Sequence, residues 1–355
     1  MLALGLMSGT SLDGVDAALV TTDGETVETL GPSMTLAYDP ARREALRSVL
    51  GGMGEVAAVE RDITLFHAEV VRRLLDQAGI GADQVDLIGF HGHTILHRPA
   101  ERRTWQIGDG ALLARETGIK VVNDFRSNDV AQGGQGAPLV PVFHRALAVG
   151  QAGPLAVLNL GGVGNVTWIG EAGEVLAFDT GPGNALMDDW AMIHTGKPVD
   201  EDGRLAKAGR IHTSRIAQFL QHPYFQRQPP KSLDRDDFAS FAAGLVEGLD
   251  AADGAATLVG FTAAAVSAAT HHFPKAARRW LICGGGRHNP VLMTALTTHL
   301  GIPVEPVEAV GWDGDAMEAQ AFAFLAVRSL RGLPLTYPKT TGCNAPLSGG
   351  RHHKV

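Results

Sequence analysis

Short apolar runs alternate, along the first third of the chain, with segments in which apolar residues recur every three or four positions. Residues 2–7 and 15–20 are apolar runs around a turn-rich segment, which predicts a β-hairpin with a glycine- and hydroxyl-rich tip. Residues 60–78 have helical spacing, and Gly79 suits the position just after a helix. A strand-like run at residues 85–90 follows. This alternation of helix and strand predicts an α/β fold.

The opening pattern returns near the middle of the chain. Residues 155–160 are an apolar run, a glycine-rich turn follows at 161–165, and residues 166–169 have the pattern of a second strand. Each half of the chain therefore begins with a strand, a small-residue turn and another strand. This similarity indicates an internal repeat of architecture, although not of sequence.

A third apolar run, at residues 280–283, ends in three consecutive glycines at 284–286. Asn289 and Pro290 then predict the start of a helix, because asparagine caps helices well and proline suits the first helical position. A later helix is predicted over residues 316–330. Since that segment is apolar nearly all round, we expect it to be buried.

The glycines at 133–136 predict a flexible connection between two lobes. We expect residues 1–135 to form the N-terminal lobe, together with part of 312–355, and residues 136–311 to form the C-terminal lobe. The polar segment 195–230 predicts a loop-rich insertion in the second lobe.

Composition narrows the class of protein. With 355 residues, of which 45% are hydrophobic, the chain is long enough for two cores. A net charge of −8 argues against a general affinity for nucleic acid or for an anionic membrane. Two cysteines and no secretory or membrane-spanning pattern predict a cytoplasmic protein whose partner is a small molecule. The turn-rich residues after Pro334 predict a loose tail.

The glycine turns predict a polyphosphate site, because backbone amides at small residues can approach phosphate oxygens closely. No Walker lysine follows the first turn, and that turn leads into a strand, so neither a P-loop nor a Rossmann site is predicted. The predicted ATP-binding residues are Ser8, Gly9, Thr10, Ser11, Leu12, Asp13, Gly14, Asp16, Gly161, Gly162, Asn165, Gly284, Gly285, Gly286 and Asn289. Asp13 and Asp16 also supply carboxylates for Mg²⁺, directly or through water.

Six segments resemble, in order along nearly the whole chain, the family of anhydro-N-acetylmuramic acid kinases. They are LMSGTSLDGVD at 6–16, GFHGHT at 89–94, NDFR at 123–126, NLGG at 159–162, FDTGPGN at 178–184 and GWDGDAMEA at 311–319. The resemblance implies the actin/hexokinase-like superfamily, with two duplicated ribonuclease H-like lobes and a central cleft. The duplication that the resemblance implies agrees with the internal repeat of strand, turn and strand.

The resemblance also implies a reaction. Enzymes of this family use ATP and Mg²⁺ to open the 1,6-anhydro ring of anhydro-N-acetylmuramic acid with water and to phosphorylate O6, giving N-acetylmuramic acid 6-phosphate and ADP in peptidoglycan recycling. The family forms homodimers. Asp179 is the predicted base for the water, because it follows an apolar strand and begins a turn, where sites of α/β proteins open. Glu318 is predicted to orient the same water or to bind sugar hydroxyls.

The predicted sugar-binding residues are His91, His93, Thr94, Gln106, Asp109, Arg126, Gly181 and Asn184. Strand alternation would put His91 and His93 on one face, which leaves a zinc site as an alternative to sugar contact. The guanidinium of Arg126 suits the lactyl carboxylate of the substrate or a nearby acidic pair.

Two alternative functions stay open at this point. Another kinase of the same superfamily, acting on a plain hexose or a carboxylate, would need no hydrolytic water. An ATP-switched binding module would need no acidic base, and the carboxylates of Asp179 and Glu318 argue against it.

Overall fold

A computed structural model describes residues 1–9, 11–233 and 238–355 of the chain. Thr10, which was predicted to bind ATP, lies outside the described residues. The chain divides into two compact units. The first comprises Met1–Val149 and Asp315–Val355, and the second comprises Gly150–Gly314. The first unit is therefore built from both ends of the chain.

The secondary structure alternates as an α/β protein. The strands are β1 (Leu2–Ser8), β2 (Gly14–Thr22), β3 (Val27–Ala37), β4 (Leu87–Arg98), β5 (Arg103–Ile107), β6 (Val121–Asn123), β7 (Leu155–Leu160), β8 (Val163–Ile169), β9 (Val175–Pro182), β10 (Arg279–Cys283), β11 (Val304–Pro306) and β12 (Arg351–His353). The helices are α1 (Pro40–Ser48), α2 (Val56–Ala78), α3 (Gly110–Thr117), α4 (Ser127–Ala131), α5 (Pro141–Leu147), α6 (Ala185–Thr195), α7 (Arg204–Ala208), α8 (Thr213–Phe219), α9 (Pro223–Gln226), α10 (Ala239–Val246), α11 (Ala251–Ala269), α12 (Pro290–Leu300), α13 (Met317–Leu330) and α14 (Pro338–Thr341).

The two sheets have the same core topology. In the first unit the strand order is β3-β2-β1-β4-β6, with the first two pairings antiparallel and the last two parallel. In the second unit β9-β8-β7-β10-β11 repeats this order and these directions. Strands β5 and β12 extend the first sheet. The repeated topology confirms the predicted α/β class and the internal duplication.

Helices cover both faces of the first sheet. Leu6 of β1 is fully buried in the apolar core that α2 covers. Its neighbour Gly5 faces α13, where an added Cβ would lie 1.7 Å from the carbonyl oxygen of Ala319. A Cβ on Gly89 of β4 would similarly lie 2.0 Å from the carbonyl oxygen of Phe322. These two glycines let the backbone of α13 lie directly on the sheet, which fixes the position of its N-terminal turn.

The core of the second unit is built around α11. This helix begins at Ala251, because the Asp250 side chain accepts a hydrogen bond from the backbone N–H of Asp253 and caps the helix. Ala251–His272 is long and apolar enough to cross a bilayer, but most of it is buried inside the unit. A core helix passes the same test of length and composition.

The first unit extends to residue 149, whereas the sequence predicted a flexible boundary at 135. The carboxylate of Asp129 accepts the backbone N–H of Gly136 at 2.6 Å and the Thr341 hydroxyl at 2.7 Å. Helix α5, which follows, packs on α13 through a pair of phenylalanine rings. The glycine segment is therefore tied to the first unit by these hydrogen bonds, and the unit continues beyond it to Val149.

The C-terminal tail is ordered, contrary to expectation. β12 pairs with β6, and the His353 ring is hydrogen-bonded to the Asn123 side chain at 2.9 Å. The edge of β6 offers free backbone groups, and the last residues of the chain satisfy them. The segment 195–230, predicted to be loop-rich, contains three short helices, α7, α8 and α9.

Candidate active site

The tip of the first hairpin is a tight turn between β1 and β2. Leu12 has a φ of +61° and donates its N–H to the carbonyl of Gly9 at 3.2 Å. The carbonyl of Asp13 accepts the backbone N–H of Tyr38 at 3.0 Å, which ties the turn to the end of β3. The turn brings together five of the predicted ATP-binding residues, namely Gly9, Ser11, Leu12, Asp13 and Gly14.

The side chain of Ser8, by contrast, faces the protein interior. Its hydroxyl lies 2.8 Å from the Tyr38 hydroxyl and 2.9 Å from Nδ1 of His93. Burial raises the pKa of Tyr38 to about 12 and lowers the pKa of His93 to about 4, so both groups are neutral near pH 7. The Ser8 hydroxyl and His93 therefore form an internal network that joins the hairpin to β4.

The two aspartates of the hairpin differ in their surroundings. Asp13 is exposed, whereas Asp16 is partly buried and accepts the hydroxyl of Thr35 at 2.6 Å. Within the described ranges, no group of three or more His, Cys, Asp or Glu side chains is arranged to hold a metal. A kinase Mg²⁺ needs only one or two carboxylates, because the phosphates supply other ligands. Asp13 and Asp16 of the hairpin therefore stay the predicted magnesium ligands.

The predicted common face of His91 and His93 is wrong, because β4 bulges between them. Two residues of β4, His91 and Gly92, lie opposite the single residue Met7 of β1 here, and Gly92 has a φ of +73°. The His91 ring contacts Phe322 of α13 at a centroid distance of 4.6 Å. His93 instead contacts Ser8 and lies near the ring of His67 on α2.

Arg126 and Glu318 form the charged part of the first unit's site. Nδ1 of His91 donates to the Gly92 carbonyl at 2.9 Å, so its Nε2 is free to accept from Nε and Nη2 of Arg126, at 3.2 and 3.0 Å. Burial raises the pKa of Glu318, Arg126 opposes that rise, and the nearby carboxylate of Asp16 adds to it. His91 thus orients a guanidinium that favours the ionised form of Glu318.

Two of the predicted sugar-binding residues pair across strands, and a third does not join them. Thr94 of β4 lies opposite Gln106 of β5, and the Gln106 amide donates to the Thr94 hydroxyl at 3.1 Å. Asp109 instead caps α3, since one of its carboxylate oxygens accepts the N–H groups of Ala111 and Leu112, both at 2.9 Å. The structure gives Asp109 a capping role at the start of that helix.

In the second unit, Asp179 lies inside β9. The sequence predicted instead that the strand ends before Asp179 and that a turn begins there. The strand continues to residue 182 because its pairing with β8 continues. Asp179 is opposite Asn165, where β8 has an irregularity in register. Gly181, two residues after Asp179 on β9, has a φ of +151° and pairs with Gly164 of β8. Three predicted site residues, Asn165, Asp179 and Gly181, are thus close together on two neighbouring strands.

Helix α9 and the segment after it hold Asp179 through three hydrogen bonds. Tyr224 donates its hydroxyl to the Asp179 carbonyl at 2.6 Å, and the Asp179 N–H donates to the Lys231 carbonyl at 3.0 Å. The Leu233 N–H donates to the carboxylate at 2.8 Å. Burial raises the pKa of Asp179 to about 7, while the Leu233 hydrogen bond and the charge of Lys231 lower it. A carboxylate with a pKa near 7 suits a general base at neutral pH.

The turn between β7 and β8 is fixed by the start of α6. The backbone N–H of Asn184 donates to the Gly161 carbonyl at 2.7 Å, and that of Gly183 donates to Gly162 at 3.0 Å. The Asn184 side chain donates to the Leu160 carbonyl at 2.8 Å. Asn184, predicted to bind sugar, therefore supports the glycine turn that was predicted to bind ATP.

The third glycine turn lies beside the second. Gly284 has a φ of +73°, and a Cβ there would lie 2.3 Å from the amide oxygen of Asn159. A Cβ on Gly286 would lie 2.9 Å from the amide oxygen of Asn184. A Cβ on Gly285, in contrast, would meet nothing closer than 3.6 Å. Two small-residue turns with an open outer surface fit a nucleotide phosphate chain.

A buried arginine holds this third turn. Nη1 of Arg287 donates to the Gly284 carbonyl at 3.1 Å, and its Nε pairs with the Glu308 carboxylate at 2.9 Å. Asn289 caps α12, as predicted, because its amide oxygen accepts the N–H groups of Val291 and Leu292 at 3.0 and 3.1 Å. The shape of the turn is thus set by one ion pair and one helix cap.

Several of these supporting side chains were not predicted from the sequence. Tyr38, Tyr224 and Lys231 lie far along the chain from the groups they contact, whereas Arg287 is close in sequence to Gly284. No local motif marks the first three residues. Arg287 follows directly on the glycine turn, and this adjacency is the one signal that pointed to its role.

Comparison with known proteins now adds the family. A family model described as anhydro-N-acetylmuramic acid kinase matches residues 1–353. The chain belongs to the anhydro-N-acetylmuramic acid kinase family. An anhydro-N-acetylmuramic acid kinase of Paramagnetospirillum magneticum is 68% identical over 353 residues, which are 99% of each chain. Another, of Rhodospirillum rubrum, is 58% identical and covers 99% of this chain and 93% of its own.

Solved structures resemble the chain only distantly. Component A of (R)-2-hydroxyglutaryl-CoA dehydratase from Acidaminococcus fermentans is 13% identical, with a TM-score of 0.49, and the match covers 93% of this chain and 99% of that one. A ROK hexokinase from Thermus thermophilus is 15% identical, with a TM-score of 0.42, over 93% and 100% of the two chains. Assignment to the anhydro-N-acetylmuramic acid kinase family rests on the sequence match alone.

Proposed function

We propose that this kinase opens the 1,6-anhydro ring of anhydro-N-acetylmuramic acid with water and phosphorylates O6 at the expense of ATP. The products are N-acetylmuramic acid 6-phosphate and ADP, and the step belongs to peptidoglycan recycling. One observation carries the proposal. In this member of the family, three hydrogen bonds, with the Tyr224 hydroxyl, the Lys231 carbonyl and the Leu233 N–H, hold the partly buried Asp179, whose pKa burial raises to about 7.

We propose Asp179 as the general base. It takes a proton from the water that attacks C1, and the C1–O6 bond breaks as the new C1–O bond forms. O6 accepts the γ-phosphoryl group, so no separate acid is needed to protonate it, in contrast to an inverting glycosidase. ADP leaves with the electrons of the broken P–O bond, and the base later returns its proton to solvent.

In the first unit we propose that Glu318 orients the attacking water or accepts a sugar hydroxyl. Burial raises the pKa of Glu318, and Arg126 opposes this, so the guanidinium keeps an acceptor available near neutral pH. Sugar contacts are proposed for the half-buried pair Thr94 and Gln106, whose side chains are already hydrogen-bonded to each other. His91 is proposed to contribute to substrate binding by positioning Arg126, to which it is hydrogen-bonded.

The nucleotide is proposed to bind at the glycine-rich turns of the chain. The first hairpin, with Asp13 and Asp16, and the second-unit turns at 161–162 and 284–286 are proposed to hold the phosphates and the adenosine. Magnesium, when bound, supplies charge neutralisation for the transferred phosphoryl group. The two hairpin carboxylates would hold it, directly or through water.

We also propose a cytoplasmic location and a homodimer. The dimer follows from the family resemblance, and the two free, buried cysteines agree with a reducing compartment such as the cytoplasm. Light scattering coupled to size-exclusion chromatography tests the dimer directly, since a mass of one chain would contradict it.

Mass spectrometry of the product tests the reaction. Purified protein is incubated with ATP, Mg²⁺ and the anhydro sugar, and the molecular mass of the sugar product is measured. We expect the sugar to gain both one phosphate and one water. A gain of phosphate alone would mean that a free hydroxyl is phosphorylated without ring opening, and rapid phosphorylation of free N-acetylmuramic acid would indicate a plain sugar kinase.

The variant Asp179→Asn tests the base. It removes the basic group while keeping an acceptor for the Leu233 N–H, so we expect loss of turnover with nucleotide binding intact. Asp189→Asn is the matched control, because Asp189 is an exposed residue of α6 in the same unit. Normal turnover in Asp179→Asn would remove Asp179 from the mechanism.

A further inference from the structure

Lys231 is a lysine buried inside the second unit. Its relative exposure is 4%, although an ammonium group loses much solvation when it leaves water. Lysine is rarely buried unless a partner or a function holds it there. The segment that contains Lys231 is the one whose backbone holds Asp179.

The contacts of the Lys231 ammonium are specific. Nζ donates to the carbonyl of Tyr224 at 3.2 Å and lies 3.4 Å from Nε2 of His272. It also lies 4.7 Å from the ring centroid of Tyr224 and 5.7 Å from that of Phe178, which are distances of cation–π contact. A carbonyl, an imidazole and two aromatic rings thus hold a cation next to β9.

These contacts connect the ammonium to Asp179 by short paths. Phe178 precedes Asp179 on β9, and Tyr224 donates its hydroxyl to the Asp179 carbonyl. The carbonyl of Lys231 itself accepts the Asp179 N–H. Removing the ammonium would release the bond to Tyr224 and would leave the carboxylate without its nearby cation.

We propose that Lys231 is a positioning residue for the Asp179 base, whose ammonium anchors the segment that holds Asp179 and keeps the neighbouring side chain in its carboxylate form. The inference rests on the proposed function of Asp179. The lysine touches neither the water nor the sugar in this scheme. It acts through the carboxylate alone.

The charges around both groups set the expected pH range. Burial raises the pKa of Asp179 to about 7 and lowers the pKa of Lys231 to about 8. Arg227, after α9, also lowers the pKa of Lys231, while the Asp179 carboxylate raises it. His272, from the turn after α11, has its own pKa lowered by burial and by Lys231. Carboxylate and ammonium therefore coexist mainly between about pH 7 and 8.

The test compares pH profiles of the wild-type enzyme, Lys231→Met and Lys231→Arg, with ATP, Mg²⁺ and the anhydro sugar. Methionine keeps the apolar stem without the charge, whereas arginine keeps the charge. Loss of a neighbouring opposite charge shifts a carboxyl pKa by about one unit or more. We expect the acidic limb of kcat/KM to move upward by about one pH unit in Lys231→Met. Activity would be about tenfold lower at pH 6 and nearly equal to wild type at pH 9.

A purely structural lysine would behave differently. Its replacement by methionine would lower activity by the same factor at every pH, and the acidic limb would keep its wild-type position in both Lys231→Met and Lys231→Arg. An unmoved limb in Lys231→Met, with Asp179→Asn inactive and the wild type active, would overturn the inference while leaving the proposed function intact. A wild type that does not turn over the anhydro sugar would overturn the proposed function.

A titration independent of turnover completes the test. Protein labelled with ¹³C at the aspartate carboxyl carbons is titrated by NMR, and the resonance missing in Asp179→Asn identifies Asp179. In the wild-type protein we expect that resonance to titrate near pH 7, with a second inflection near pH 8 as Lys231 loses its proton. In Lys231→Met the first inflection should move upward and the second should vanish. A single, unmoved inflection in both proteins would overturn the inference, and the wild-type curve alone decides it if the variant does not fold.

Discussion

Replacing Asp179 by asparagine should stabilise the second unit while abolishing turnover. The folded protein holds a proton on Asp179 more tightly than the unfolded chain does, because burial raises its pKa from 3.8 to about 7. Stability from this group is therefore complete below about pH 4 and is lost as the pH rises through 7. Asparagine stays neutral throughout and can still accept the Leu233 N–H.

The magnitude follows from the size of the shift. About three pKa units at 1.4 kcal/mol each give a gain for Asp179→Asn of about 4 kcal/mol at pH 8. At pH 5 the wild-type carboxyl is already protonated in the folded state, and the same linkage gives a gain of about 2 kcal/mol. The difference between the two pH values, about 2 kcal/mol, is the quantity to measure, since it cancels any pH-independent effect of the substitution.

Denaturant unfolding followed by tryptophan fluorescence provides the assay. Four of the five tryptophans belong to the second unit, namely Trp168, Trp190, Trp280 and Trp312. Unfolding free energies of the wild type, Asp179→Asn and the control Asp189→Asn are compared at several pH values. A gain for Asp179→Asn that is equal at pH 5 and pH 8, or that shrinks as the pH rises, would refute the argument that Asp179 is a desolvated carboxylate.

Three further predictions concern the supporting structure. Gly89→Ala should lower the unfolding free energy by about 3 kcal/mol, because the new Cβ would overlap the backbone of α13, and denaturant titration measures this. Arg287→Met should weaken nucleotide binding about tenfold, as measured by calorimetry, because the Gly284 carbonyl loses its hydrogen-bond donor. Unchanged affinity would mean that this turn does not bind the nucleotide. Asp109→Ala should lower the unfolding free energy by about 1 kcal/mol and leave KM for the sugar unchanged, because Asp109 caps α3. Gln106→Ala should raise KM for the sugar and leave stability unchanged. Melting curves and steady-state kinetics measure the two quantities, and the reverse pattern would make Asp109 the sugar contact and Gln106 the structural residue.

Local patterns predicted the elements of this fold well where one face of an element is uniformly apolar. The hairpin of β1 and β2, the helix ending at Gly79 and the capped start of α12 all follow from spacing and capping rules. The duplication was visible for the same reason, since both units begin with a strand, a small-residue turn and a strand.

What the sequence could not predict depends on contacts between distant residues. The bulge at Gly92 separates His91 from His93, and it exists because the Gly92 backbone lies against Ile107, a contact that no spacing rule contains. The network around Asp179 likewise depends on Lys231, which lies about fifty residues further along the chain, beyond the polar insertion. No local pattern links two residues so far apart in sequence.

The glycine contacts under α13 have a consequence for how the chain is made. Gly5 and Gly89 leave the ribosome long before the helix that lies on them, because α13 follows the whole second unit in the chain. While Gly150–Gly314 can collapse as one continuous stretch, one apolar face of the first sheet stays uncovered until α13 has been synthesised. A nascent chain stalled before Met317 should therefore expose one apolar face of the first sheet. Brief protease treatment of such stalled ribosomes should then cleave the chain only within the N-terminal residues of the first unit.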